Sequence, residues 1–491
     1  MRPPRDARLP HRVFLAVFVG SLLLELAWVL ALPAFRGADE FDHAYKADAV
    51  AHGELRAVSE ARSGRGGLVP VAPELVAAAG PVCSSYLYTR PDNCRSAGLT
   101  ADGRALVASA AESYDPVFYA VVGTVARPFD GVAALVVMRL ATAVLTSLLL
   151  GTAAAVTAGW SRTGWPLLAL AVACTPVLVQ SGAVAAPNAV GYAGAVLVWA
   201  AGLSLVQRDG PPTWGWLTLG SVTVLVTHTT GLMWLFLVLL AVLLLRPRTW
   251  WASRLRAERG PAAGAALTVA ACAAGCLAWI RYADTNALSG PTDQPPLELP
   301  MLAVQQFLWA MQTIAAFPTR NEPAPSWVYT CWIAVLAVLW GYGALVARSR
   351  VRVVAGLVLA AWFAVPLALT FVSYSSQGYA WQGRYALPLA VGLPALAGLA
   401  LERRGSAPAR PLVALVLALV ALAHVSSVVA VTLDERRADF PGTFVLAVPG
   451  GLAVVALLAV AGVAVAALPA RPGRAVPAPP ADVALRPEVR A

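Results

Sequence analysis

Charge is scarce in this chain: only 13% of its 491 residues are Asp, Glu, Lys or Arg, roughly half the ~25% of a soluble domain. Several nucleotide and hydrolase signatures are also missing. There is no GxxxxGK[ST] phosphate loop, no GxSxG elbow, no HExxH helix and no zinc-type pair of CxxC motifs. These absences argue against an ATP-driven pump and a membrane-bound zinc protease. No internal repeat relates the two halves, as an inverted-repeat transporter would favour.

Apolar sequence is abundant instead. Hydrophobic residues make up 59% of the chain and mean hydropathy is +0.68, more than a soluble fold of this size can hide. Apolar runs recur from end to end, and about 20 such residues cross a bilayer as helix. The expected architecture is an all-α integral membrane protein with about 12 transmembrane helices (11 to 13). The spans read as 13–33, 131–158, 164–181, 188–206, 214–228, 231–246, 262–281, 326–347, 352–373, 384–401, 411–432 and 443–468. A break is required near Thr227-His228-Thr229-Thr230-Gly231, because the apolar run through it exceeds one bilayer thickness.

The basic start and first apolar run could form a signal peptide, but the run is too long and lacks a small-residue cleavage site, so a retained anchor is expected. Residues 1–12 form a cytoplasmic N-terminus and 13–468 one polytopic membrane domain. Within it, 34–130 is a first extracytoplasmic loop and 282–325 a second. Residues 469–491, rich in Pro, Ala and Arg, form a disordered cytoplasmic tail. Orientation follows from arginine. Arg246, Arg248, Arg254, Arg256 and Arg259, then Arg348, Arg350 and Arg352, fall in alternate connections, while the intervening short connections hold few basic residues. The formal charge of +10 is thus explained by membrane orientation, without a nucleic-acid partner. Surface helices are expected over 114–128 and 301–317.

Six cysteines divide by environment. Cys174, Cys272, Cys276 and Cys331 lie in apolar spans as small hydrophobes. Cys83 and Cys94 share the polar loop, where an oxidising exterior would allow a disulfide.

The sharpest polar cluster is Asp39-Glu40-x-Asp42-His43, at the mouth of the first span. Its carboxylates and imidazole could hold a divalent cation or act as a general base; alternatively, Asp39 is a helix N-cap. Asp115, followed by Pro116, is either an N-cap or a second acidic group facing the first. Late in the chain, Gln382-Gly383-Arg384-Tyr385 enters a span. There Arg384 either snorkels or grips a phosphate with its bidentate fork. His228 could donate to a lipid phosphate or hold its break together. Arg139, inside the second span, needs a carboxylate partner or a reach to the polar layer. Asn188, Arg320, Asn321 and Glu322 could line an outer cavity. Topology puts these outer features on one face.

In this order, Asp39-Glu40-x-x-His43, Asp115-Pro116-x-x-Tyr119 and Gln382-Gly383-Arg384-Tyr385-x-x-Pro388 resemble the bacterial family called domain of unknown function 2142, grouped with the GT-C superfamily of integral membrane glycosyltransferases. The resemblance spans roughly 13–394. It implies a GT-C-like fold in the bacterial plasma membrane, with an extracytoplasmic active site and a polyprenyl-phosphate sugar donor. The acceptor would be a glycan or lipid-linked molecule. Carried over, Asp39 and Glu40 act as base or bind the metal (Mg or Mn), and His43 supports them. Arg384 grips the donor phosphate, with His228, Gln382 and Tyr385 around it. Asp42 is an addition to the family pattern. Two other classes stay open: a flippase for a lipid-linked envelope intermediate, and a non-catalytic envelope scaffold.

Overall fold

The computed structural model describes residues 8–207, 212–283, 296–319, 322–379, 381–438 and 450–468. Residues 1–7, Arg320, Asn321 and the tail 469–491 lie outside the described residues, as do the first residues of the expected span 443–468.

The first helix, α1 (Leu9–Ala31), stops just before Leu32-Pro33, where proline disfavours helix in the residue preceding it. A long loop follows. It holds α2 (Glu40–Ala51), β1 (Ser59–Glu60), β2 (Gly67–Val71), α3 (Pro73–Cys83), α4 (Pro91–Cys94), β3 (Gly98–Leu99), β4 (Ala105–Ser109) and α5 (Pro116–Ala126). The strands form one antiparallel sheet in the order β1-β2-β4-β3, with Val69 opposite Val107. This sheet is a finding beyond the surface helices anticipated for the loop. Its strands are too short, and too broken by Gly and Pro, to leave a periodic signal. A Cys83–Cys94 disulfide joins α3 to α4. Asn93 adds four side-chain bonds: its Oδ1 accepts from Arg65 N and Arg90 N, and its Nδ2 donates to Arg65 O and Ala108 O.

The membrane part then runs through α6 (Gly131–Trp160), α7 (Trp165–Ala173), α8 (Pro176–Gly182), α9 (Asn188–Leu205), α10 (Trp214–Thr227), α11 (Gly231–Leu244), α12 (Arg248–Ala257) and α13 (Arg259–Tyr282). It continues with α14 (Leu299–Gln312), α15 (Ser326–Val346), α16 (Ser349–Gln377), a 3₁₀ turn (Gly383–Ala386), α17 (Leu387–Ala390), α18 (Gly392–Arg404), α19 (Arg410–Ala438) and α20 (Gly451–Ala466). Helix is the expected form, because hydrocarbon offers the backbone no hydrogen-bond partner outside the chain.

Among the described residues, eight helices are long and apolar enough to cross a membrane, or ten if bent pairs count as one span each. The expected count of twelve is therefore not reached. The expected span 164–181 is bent by 65° between α7 and α8. Helices α10 and α11 have 14 residues each, about 21 Å at 1.5 Å per residue against a hydrocarbon core of about 30 Å. The expected break between them falls at His228.

The core is centred on α9, every residue of which is buried. Helix α1 is part of the bundle: it crosses α20 at Gly20, where a Cβ would come 2.7 Å from the Gly462 carbonyl oxygen. Large apolar side chains on α13 and α16, such as Leu267, Phe371 and Val372, are exposed. Exposed apolar surface on that scale needs lipid to cover it.

Candidate functional site

The site begins where α1 ends. Arg139 of α6 reaches back to the end of α1, and its Nη1 and Nη2 donate to the Leu32 and Pro33 carbonyls at 2.8 and 2.7 Å. A guanidinium is favourable there, at the negative end of a helix. The remaining donors take both oxygens of Glu40: Nε to Oε1 and Nη2 to Oε2, each at 2.7 Å. Glu40 also accepts from Ala185 N at 3.0 Å and Gly37 N at 3.2 Å. Of the two readings open for Arg139, the carboxylate partner is the one observed.

Glu40 departs from the role expected for it beside Asp39. It has no solvent exposure and both its oxygens are occupied, so it cannot reach a substrate or a cation. Among the described residues, no group of three or more His, Cys, Asp or Glu could hold a metal ion. Of the two carboxylates expected together, Glu40 is committed to Arg139, which leaves Asp39 as the open one.

Asp39 is placed differently. It is the residue before α2 and takes a left-handed backbone, φ 56°, which Asp tolerates better than most residues. Its side chain makes no capping bond, so the carboxylate is not consumed by its own helix. Arg384 stands opposite, with Nη2 3.9 Å from Asp39 Oδ2. Arg384 is buried on the 3₁₀ turn, and its Nε has no hydrogen-bond partner among the described residues. That turn is held by Gln312 of α14, which accepts from Gly383 N at 2.8 Å. Packing there is so close that a Cβ on Gly383 would fall 1.9 Å from the Trp309 carbonyl oxygen.

Aromatic and imidazole rings link the parts. His43 Nδ1 and Tyr119 Oη share a 2.8 Å hydrogen bond. The His43 ring lies 5.8 Å from Tyr114, Tyr114 lies 6.3 Å from His228, and His228 lies 5.0 Å from Tyr385. The first loop, the His228 break and the 382–385 turn therefore converge, as the shared face of the topology suggested. His228 also holds its break together, since its Nδ1 accepts from Thr230 N at 3.2 Å. A small cavity lined by Asn188, Tyr192, Thr227, His228, Trp234 and Tyr385 adjoins the turn. Tyr192 Oη, Trp234 Nε1, Trp381 Nε1 and Gln382 Oε1 are buried without partners among the described residues. Each such group costs on the order of 1–3 kcal/mol and is available to a polar ligand.

Burial sets two protonation states on α2. It pushes the Asp42 carboxyl up to about 7, although the Ala110 N–H bond to Oδ1 at 2.7 Å opposes the shift. It pulls His43 down to about 4, against the attraction of Asp39, so the imidazole is neutral near pH 7. Asp42 is directed at the β4–α5 connection rather than at Arg384. Asp115 caps α5 by accepting from Val117 N at 3.0 Å. It stands near Lys46 and Cys276, not across from Asp39.

Lys46 was missed in the sequence, although it is the chain's only lysine. Its Nζ donates to the Leu55 and Glu112 carbonyls and sits over the Trp279 ring, tying α2 to the loop and to α13. Burial lowers it to about 8. Arg36 was likewise missed. It bonds Glu322 at 2.8 Å and Glu435 at 2.9 Å, which gives Glu322 a structural role.

The model of a family described as predicted membrane protein (DUF2142) matches residues 22–393. The chain belongs to the DUF2142 family. The match contains Asp39, His43, His228 and Arg384. No curated protein matches the sequence. Among solved structures, ArnT from Cupriavidus metallidurans bound to undecaprenyl phosphate is similar at 16% identity, over 94% of this chain and 77% of that chain, with a TM-score of 0.39. At that level the likeness concerns the helical fold alone.

Proposed function

We propose that this DUF2142 protein is a membrane glycosyltransferase that moves a sugar from a polyprenyl-phosphate donor to an envelope acceptor on the extracytoplasmic face. The observation that carries the reading is the buried Arg384 guanidinium facing the uncapped Asp39 carboxylate at 3.9 Å. An acceptor hydroxyl must lose a proton as its oxygen attacks the sugar C1, and the bond from C1 to the donor phosphate must break. Asp39 takes that proton. Arg384, with the buried Gln382, holds the departing phosphate in a site where water is scarce and a fixed cation acts strongly.

His43, kept neutral and bonded to Tyr119, is a positioning residue between Asp39 and α5. Glu40 and Arg139 form the rigid base from which Asp39 projects. No step is assigned to a metal ion. The N-terminus is assigned to the cytoplasm. The Cys83–Cys94 disulfide supports an oxidising compartment for the loop.

The test is transfer of a radiolabelled sugar from polyprenyl phosphate by the purified chain. Asp39→Asn and Arg384→Ala should each abolish transfer while the protein elutes as the wild type does. Full transfer by both variants would overturn the proposal. Movement of the intact lipid-linked sugar across liposomes without any bond change would favour the flippase.

A further inference from the structure

The span Gly383–Arg404 carries Arg384 at one end and Arg403 at the other, about 28 Å away at 1.5 Å per residue. The far end has a charge arrangement of its own. Arg403 is half-buried, its Nη2 is wholly buried with no partner among the described residues, and Arg246 and Arg348 are its charged neighbours there. These three guanidiniums come from three separate segments: the end of α11, the α15–α16 connection and the end of α18. Two described carboxylates at this end are committed elsewhere. Glu402 accepts from Arg162 N at 2.6 Å and from Thr163 N at 3.1 Å. Glu258 accepts from Trp214 Nε1 at 2.7 Å and pairs with Arg254 at 3.1 Å. Arg246 keeps one donor on the Val206 carbonyl, Nε at 2.8 Å. Among the described residues no carboxylate is left for Arg403, and guanidinium forks match phosphate oxygens, so its surroundings favour an anion.

Two further features specify which phosphate. Helix α12 turns 101° from α11 and has no buried residue. It carries Trp250 and Trp251 beside Arg248 and Arg256, the composition of a helix lying at a membrane surface. Trp250 stacks on Arg246 at 5.1 Å, which joins α12 to the arginine cluster. An apolar cavity of about 350 Å³, lined by Trp165, Leu168, Val338, Tyr342, Leu412 and Val416, opens at the same end. Its Tyr342 hydroxyl accepts from Arg404 Nη1 at 2.5 Å, which links the apolar wall to the basic end of α18.

We propose that this end of the protein binds an anionic phospholipid, its headgroup phosphate held by Arg246, Arg348 and Arg403 and an acyl chain lying in the apolar cavity. The site is separate from the Asp39–Arg384 site and does not depend on the function proposed for it.

The test titrates the full-length chain in neutral detergent with dioleoylphosphatidylglycerol and follows bound lipid by native mass spectrometry. Arg403→Gln and Arg348→Gln should each weaken binding about fivefold, the effect of one arginine near an anionic headgroup. Dioleoylphosphatidylcholine, with the same tails, should bind far less, and millimolar inorganic phosphate should not displace the lipid. Arg348 is exposed, so its variant reports even if Arg403→Gln fails to fold. Unchanged binding in Arg348→Gln, equal binding of the zwitterionic lipid, or displacement by free phosphate would each overturn the proposal.

Discussion

At the scale of single residues, Asp39 and Glu40 are neighbours in sequence with opposite fates. Asp39→Asn should lower sugar transfer by about 10²–10⁴-fold, the usual contribution of a positioned general base, with little change in melting temperature. Glu40→Gln leaves Arg139 buried without its anionic partner and should cost about 3–5 kcal/mol of stability. Thermal unfolding in detergent checks this, and a wild-type melting curve for Glu40→Gln would contradict the assignment. Protonation separates Asp42 and His43 as well. The folded Asp42 carboxyl is raised to about 7 from an ordinary value near 3.8, so its contribution to stability is full below 3.8 and is lost as pH rises through 7. His43, lowered to about 4 from 6.5, behaves oppositely: its contribution is full above 6.5 and is lost as pH falls through 4. Asp42→Asn should therefore remove the decline in stability between pH 4 and 7 and leave the acid loss due to His43. Melting temperatures measured across pH 4–8 test both limbs.

Helices and turns bring these residues together at points where only glycine fits. A Cβ on Gly123 of α5 would lie 2.1 Å from the Ala47 carbonyl oxygen of α2, so the helix bearing Asp42 and His43 can approach Tyr119 only because residue 123 is bare. At Gly383 the same closeness presses the Arg384 turn onto α14. Gly383→Ala should displace that turn and reduce transfer at least tenfold while the rest of the bundle melts normally, as a paired activity and unfolding measurement would show. In the loop, the Cys83–Cys94 disulfide closes a short segment. Cys83→Ser should lower loop stability by about 3 kcal/mol, seen as faster proteolysis between α3 and β4 with the membrane helices still protected.

At the scale of the whole molecule, the polar loop and Arg384 lie at one end and the arginine cluster at the other, with lipid-facing apolar helices between. If the loop is extracytoplasmic, Leu87→Cys should react with a membrane-impermeant maleimide added outside cells, since Leu87 is fully exposed. Ser349→Cys, at the start of α16, should react only after the membrane is opened. The reverse pattern would invert the orientation.

Sequence by itself determined that this chain lives in a bilayer, because apolar content and run length follow from composition alone. Run length likewise called for the break at His228, while for Asp115 and Arg139 local chemistry left two readings each. Only the tertiary structure decided which carboxylate Arg139 takes. Spacing along α2 cannot tell that Glu40 turns inward to α6 while Asp39, one residue earlier and in a left-handed conformation, is left facing Arg384. The sheet in the loop and the ties made by Arg36 and Lys46 were equally illegible, because they join residues far apart in sequence. Among the described residues, fewer helices than the hydropathy reading expected are long enough to cross a membrane, because an apolar run fixes solvent preference, whereas the bend at Cys174 depends on what each half-helix packs against.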